Sequence, residues 1–134
     1  MSEAAISKQF ISCAAVLIVS DIHRSVAFYR DHLGFEIAEI WGDPPSFAIA
    51  DSPRASIMLK QGIEPDAAYE TRPNAHQIGG LWDVYIWVQD LEAVIRFFSG
   101  ANTAHSEAEK MPHGCTEIVV TDPDGYRICL GFCP

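Results

Sequence analysis

Ile18-Val19-Ser20-Asp21-Ile22 and Trp87-Val88-Gln89-Asp90-Leu91 are two versions of one pentapeptide, the second following at an offset of 69 residues from Asp21 to Asp90. Each closes an apolar, β-rich run and opens a helical pattern. An aspartate at that point accepts hydrogen bonds from first-turn N–H groups, so it marks where a strand hands over to a helix. The same offset carries Phe28-Tyr29 onto Phe97-Phe98, and an offset of 71 carries Ile57-Met58-Leu59 onto Ile128-Cys129-Leu130. A repeat whose two ends agree this closely defines a duplicated unit more firmly than any single strand does.

Working outward from the first copy, Ala14 to Val19 reads as a strand. Ile22, Val26, Tyr29 and Leu33 recur at helical spacing, and Gly34 supplies a left-handed stop, which predicts a helix over 22–33. Phe35 to Trp41 is extended, Gly42-Asp43-Pro44-Pro45 breaks it, and Ser46 to Ala50 and Ala55 to Lys60 read as two strands joined through Asp51-Ser52-Pro53-Arg54. The order is βαβββ. Gln61 to Gly80, with Pro65, Pro73 and Gly79-Gly80, reads as a linker with one helical turn. In the second copy a strand through Val84, Ile86 and Val88 precedes a helix whose apolar stripe is Leu91, Val94, Ile95 and Phe98. Gly100 stops that helix, making it shorter than the first. Ala101 to Gly114 is poorly patterned; Thr116 to Thr121, a turn at Asp122-Pro123-Asp124-Gly125 and a strand from Tyr126 to Phe132 complete the unit.

Composition narrows the function classes. Of the 134 residues 49% are apolar, enough for one globular domain. The formal charge of -9 disfavours nucleic acid as a partner, because such a surface repels phosphates. No apolar run approaches the roughly 18 residues of a spanning helix, so no membrane partner is expected. The start, Met1 to Gln9, lacks the basic and apolar regions of a secretory signal, which predicts a cytoplasmic protein. In that compartment Cys13, Cys115, Cys129 and Cys133, with no C-x-x-C pair among them, are expected to be unbridged, buried thiols.

Two βαβββ units, the paired strand-to-helix junctions, Ser25-Val26-Ala27-Phe28-Tyr29-Arg30-Asp31-His32-Leu33-Gly34-Phe35 and the closing Asp122-Pro123-Asp124-Gly125-Tyr126 together resemble the vicinal oxygen chelate superfamily. The S-x-x-F-Y-x-x-x-L-G-F run is similar to that of its glyoxalase and bleomycin-resistance branches. The resemblance implies an α+β fold of two tandem βαβββ modules whose curved mixed sheets enclose a cleft. Module one covers about residues 10–61, the linker about 62–80 and module two about 81–134. It also implies a homodimer whose partner helps to wall the site, a state that apolar strand edges and the short second helix suggest as well.

Metal-dependent members place His, Gln or Glu at four cleft-facing positions. The resemblance puts these at Ala14, Met58, Asp83 and Cys129. Oxygen and nitrogen donors are what a hard or borderline dication requires, and this set supplies few, so no metal, no cofactor and no catalytic residue is expected. The histidines do not rebuild the site. His23 and His32 read as solvated helix residues, and His76 and His105 have no ligand-like neighbours at useful spacing. His113 precedes a strand where bleomycin-resistance relatives present an aromatic to the ligand, so it is either a ligand contact or a loop-packing residue.

Alternation sets what faces the cleft. If Val84, Ile86 and Val88 face the helix, then Asp83, Tyr85 and Trp87 line the cleft, with Arg127, Cys129 and Gly131 beside them. From module one Ala14, Val16 and Ile18 add an apolar wall, and Trp41, Phe47 and Trp82 extend the aromatic surface or belong to core or dimer packing. Asp83 is either a ligand-facing anion, an exposed edge residue or the partner of Arg127. The candidate ligand-binding set is Asp83, Tyr85, Trp87, His113, Arg127, Trp41 and Phe47. Two aromatics and a carboxylate suit a flat or cationic organic group. The expected function is metal-independent binding, with sequestration of a small cationic or aromatic molecule as in antibiotic resistance. The alternative is a metal-dependent glyoxalase-like lyase, isomerase or dioxygenase.

Overall fold

In the computed structural model, residues 3–63, 66, 69–76 and 81–134 are described. Pro65 and Gly79-Gly80 of the expected linker lie outside them. Ten elements carry the fold: β1 (Ala14–Val19), α1 (Ile22–Asp31), β2 (Glu36–Trp41), β3 (Phe47–Asp51), β4 (Ser56–Gln61), β5 (Val84–Trp87), α2 (Leu91–Ala101), β6 (Glu109–Lys110), β7 (Thr116–Thr121) and β8 (Arg127–Phe132). Short 3-10 turns at Glu3–Gln9 and Asn74–His76 are added. The strands form two four-stranded mixed sheets, ordered β1-β4-β3-β2 and β5-β8-β7-β6. In each, the first strand of the unit runs parallel to the last and the others are antiparallel. The duplication read from the two junctions is therefore a duplication of sheets.

Both junction aspartates cap as the spacing predicts. The Asp21 carboxylate accepts from the N–H groups of His23 and Arg24 at 3.1 and 3.2 Å, and Asp90 accepts from Ala93 at 3.1 Å. A cap of this kind stabilises a helix by about 1 kcal/mol. Gly34, at φ 83°, turns the chain out of α1 in the left-handed region. The second stop differs from expectation: α2 runs through Gly100 to Ala101, and Asn102, at φ 59° and ψ 39°, is the left-handed cap. With 11 residues against 10, α2 is the longer helix. The stretch read as unpatterned contains β6, a two-residue edge strand held to β7.

Each helix covers one face of its sheet. Leu17, Val19, Ala48, Ala50, Ile57 and Leu59 meet Ile22, Val26 and Tyr29 of α1, while Ile118, Val120, Ile128 and Leu130 meet Leu91 and Phe98 of α2. These residues form one contiguous apolar cluster that spans both units. The β7–β8 turn then clasps the first junction. The buried Tyr29 hydroxyl donates to Asp122 at 2.8 Å, Tyr126 donates to the Ile18 carbonyl at 2.7 Å, and Asp124 accepts from the Ser20 N–H and hydroxyl and pairs with Arg24 at 3.3 Å.

The cysteines depart from expectation. Cys115 and Cys133 are joined by a disulfide, Cys13 is exposed, and Cys129 alone is a buried thiol. Strand register is the cause: Thr116 pairs with Phe132, so the residues flanking that pair face one another across the β7–β8 ladder.

Candidate functional site

The face of each sheet turned away from its helix carries the side chains that alternation assigned to the cleft. On the second sheet Tyr85 pairs with Cys129, which pairs with Val119, and Trp87 pairs with Gly131, which pairs with Glu117. Tyr85 and Trp87 stand with ring centroids 5.3 Å apart, and Trp82 lies 5.3 Å from Tyr85 on its other side. These three rings, with His113, Glu117 and the Cys115–Cys133 disulfide, line a cavity of about 400 Å³. Trp87 is 72% exposed, so its ring is available to a ligand.

Glu117, 5% exposed, forms the polar centre of this cavity. It accepts a 2.7 Å hydrogen bond from the Tyr85 hydroxyl, and His113 Nε2 stands 3.9 Å away, with its side chain 57% exposed. Burial first, then the hydrogen bond to Glu117 and its charge, push the Tyr85 phenol above its ordinary value. Burial first, then the Glu117 charge, push the Cys129 thiol up to about 12. Both neighbours therefore stay protonated at neutral pH and add no negative charge of their own.

Asp83 has a different task. Its two carboxylate oxygens accept from the backbone N–H groups of Asn74 at 2.8 Å and Arg127 at 2.9 Å, tying the 3-10 turn to the start of β8. Asp83 meets Arg127 through the main chain, whereas the charge pairing weighed from the sequence concerned its side chain. Asp83 still lines, with Ala14, Tyr85 and Trp87, an open groove of about 680 Å³ between β5 of the second unit and the β1 and β4 ends of the first, residues 13–15 and 54–57. Trp41 and Phe47 pair with one another, centroids 5.7 Å apart, on the corresponding face of the first sheet. Neither lines the cavity that holds Tyr85, Trp87 and His113. Arg127, two residues before Cys129 on the same face of β8, is not in that lining either. His32, read as solvated, packs against Phe28 and approaches the Thr103 hydroxyl at 3.3 Å.

A further hollow of about 410 Å³ lies on the opposite, helix-facing side of the second sheet, between Val94, Phe97 and Phe98 of α2 and Ile86, Ile128 and Leu130. Apart from Ser52, the described lining is apolar.

The sequence profile of the Glyoxalase/Bleomycin resistance protein/Dioxygenase superfamily matches residues 11–130. The chain belongs to that superfamily. Solved structures of the same shape include a glyoxalase/bleomycin resistance protein from Catenulispora acidiphila DSM 44928, 20% identical, covering 93% of this chain and 100% of that one at a TM-score of 0.68. TnmS3, an antibiotic binding protein from Streptomyces sp. CB03234, is 18% identical over 93% of this chain and 97% of its own, also at 0.68. A lactoylglutathione lyase from Agrobacterium tumefaciens is 20% identical over 92% of each chain, at 0.64. At these identities the likeness carries the fold and not the chemistry. No curated protein matches the chain.

The metal that some members of the superfamily use finds a poor donor set at the expected positions. Ala14 has no donor, Met58 offers a thioether, Asp83 spends its oxygens on two backbone N–H groups, and Cys129 holds its proton. Register shifts nothing in its favour: the strand neighbours of Met58 are Val16 and Ile49, and those of Cys129 are Tyr85 and Val119. Among the described residues no group of three His, Cys, Asp or Glu side chains converges as a metal site would. Nor is any described helix long and apolar enough to cross a membrane.

Proposed function

We propose that this superfamily member binds a small organic molecule, flat or cationic, without a metal, and so lowers its free concentration. The observation that carries the reading is the shared cavity of Trp82, Tyr85, Trp87 and His113 around Glu117, set against a donor set that does not suit a dication. Aromatic faces hold a ligand by stacking and need no reacting group. The resemblance of shape to an antibiotic binding protein supports the same reading. The working unit in this proposal is a homodimer: Phe10, Val16 and Trp41 are exposed, and Ile11 is 97% exposed, a larger apolar display than scattered surface residues require. The Cys115–Cys133 bridge favours an oxidising compartment over the cytoplasmic one read from the sequence.

The second reading, a metal-dependent lyase or isomerase, is favoured by the shape shared with a lactoylglutathione lyase. Metal content measured on natively purified protein separates the two. Substoichiometric metal together with saturable quenching of tryptophan fluorescence by an aromatic ligand supports the binder. One firmly held dication per chain, required for ligand binding, overturns it. Sedimentation equilibrium tests the dimer, and a monomeric mass at micromolar concentration contradicts it.

A further inference from the structure

Resting on the proposal that the second-sheet cavity holds a small molecule, we infer that Glu117 makes it selective for a protonated amine carried on an aromatic scaffold. Asp83, the anion that alternation brings to the same strand as the rings, is engaged by Asn74 and Arg127. Glu117 sits instead in the cavity that the rings line, 5% exposed, and its carboxylate accepts from a neutral donor, the Tyr85 hydroxyl. The imidazole of His113 at 3.9 Å is an ion-pair partner when protonated but stands beyond hydrogen-bonding distance, so it does not occupy an acceptor position of the carboxylate.

A carboxylate removed from water is costly until a cation or several donors compensate it. A ligand ammonium supplies both the charge and up to three N–H donors. The faces of Trp82, Tyr85 and Trp87 attract the same cation through their quadrupoles, an interaction that strengthens as water is excluded. The phenol of Tyr85 and the thiol of Cys129, both held protonated, add no anion of their own beside Glu117. A neutral ligand of the same shape satisfies the rings and leaves the carboxylate as it was. The net charge of -9 draws cations toward the surface from a distance, whereas inside the cavity the discrimination falls to Glu117, the acidic residue of its described lining.

Two probes of one shape test this, 2-naphthylmethylammonium and the neutral 2-naphthylmethanol, titrated calorimetrically into wild-type protein and into Glu117→Gln. Glutamine keeps the volume and an oxygen to accept from Tyr85, and removes the charge. The expected result is at least about tenfold tighter binding of the ammonium to the wild type, the scale of one hydrogen bond to a charged group, and loss of that advantage in Glu117→Gln. Asp83→Asn retains it. Equal affinity of the two probes for the wild type, with both weakened by Trp87→Ala, overturns the amine selectivity while the cavity remains a binding site. Failure of both probes to bind overturns the selectivity and the cavity reading together. Should Glu117→Gln fail to fold, the wild-type comparison at low and high salt decides the matter: salt screens the attraction of the exposed surface charge but little of a buried pair, so an ammonium preference that persists at high salt is expected, and a preference that salt abolishes overturns it.

Discussion

The Tyr85 hydroxyl reaches across β8 to hydrogen-bond Glu117 on β7 at 2.7 Å, and the strand it crosses carries Gly131 at the crossing. A Cβ at Gly131 would overlap the phenol oxygen, so the missing side chain is what allows β5 and β7 to share this bond. Gly131→Ala therefore displaces Tyr85 from Glu117. The expected cost is about 1–3 kcal/mol of stability, as for other overpacked sites, with a matching loss of ligand affinity. Urea unfolding and the Tyr85 ring resonances report the two effects separately, and unchanged ring shifts would contradict the account.

Asp83→Asn and Glu117→Gln should separate structure from binding. Asparagine at 83 loses one of two acceptors for the Asn74 and Arg127 N–H groups, which leaves a donor without its partner at about 1–3 kcal/mol. Ligand affinity at saturating folded protein stays near wild type. Glu117→Gln shows the reverse pattern, near-native stability with weakened cation binding. A large affinity loss in Asp83→Asn would reinstate it as the ligand anion.

Thiol reactivity follows from the placement of the four cysteines. Cys13 is exposed, Cys129 is buried with its pKa pushed up to about 12, and Cys115 and Cys133 are bridged. An aromatic disulfide reagent should titrate one thiol in the native protein, two after denaturation and four after reduction. Because the bridge closes an 18-residue span, reduction should lower stability by about 3 kcal/mol at most on the chain-entropy estimate. Four thiols in unreduced, denatured protein would remove the bridge.

Asp122 makes stability depend on pH. Burial is the largest influence on its carboxyl and raises its pKa, while the Tyr29 hydroxyl and the Tyr126 and Asp124 N–H groups oppose the rise. A raised native pKa means the folded state holds the proton longer than the unfolded chain does. Stability therefore falls as pH climbs from the unfolded value, near 3.8, through the native one, and levels off above it. Asp122→Asn removes that part of the slope, measured as the urea midpoint at a series of pH values from 4 to 7. Tyr29→Phe, which deletes the donor to a buried carboxylate, should cost about 1–3 kcal/mol at neutral pH.

The junction aspartates and period-two alternation made most of the fold legible, because capping and pleating are local. Tyr85 and Trp87 are placed by the same alternation on the face turned away from α2. What escaped depends on partners across strands. Cys115 and Cys133 lie nine residues on either side of Asp124, so centring the hairpin on its turn places them opposite one another. The same operation puts Glu117 beside Gly131 and hence near Trp87. Thr116-Glu117-Ile118-Val119-Val120 itself signals Glu117, since Ile118 and Val120 face the core and the glutamate must face away. The helix stop at Gly100 failed because Asn102 reaches the left-handed region too, and one more turn position was available before it. Trp41 and Phe47 were legible as a pair on a strand face, but nothing local to them fixes which cavity they join.

Metal-independent binding is tested most directly by the tryptophan fluorescence of chelator-treated protein titrated with 2-naphthylmethylammonium, a cationic aromatic amine that is not itself a chelator. The account predicts saturable quenching with no dependence on added Zn, Ni, Mn or Fe, and loss of that quenching in Trp87→Ala. Quenching that appears only after a stoichiometric dication is restored would contradict it.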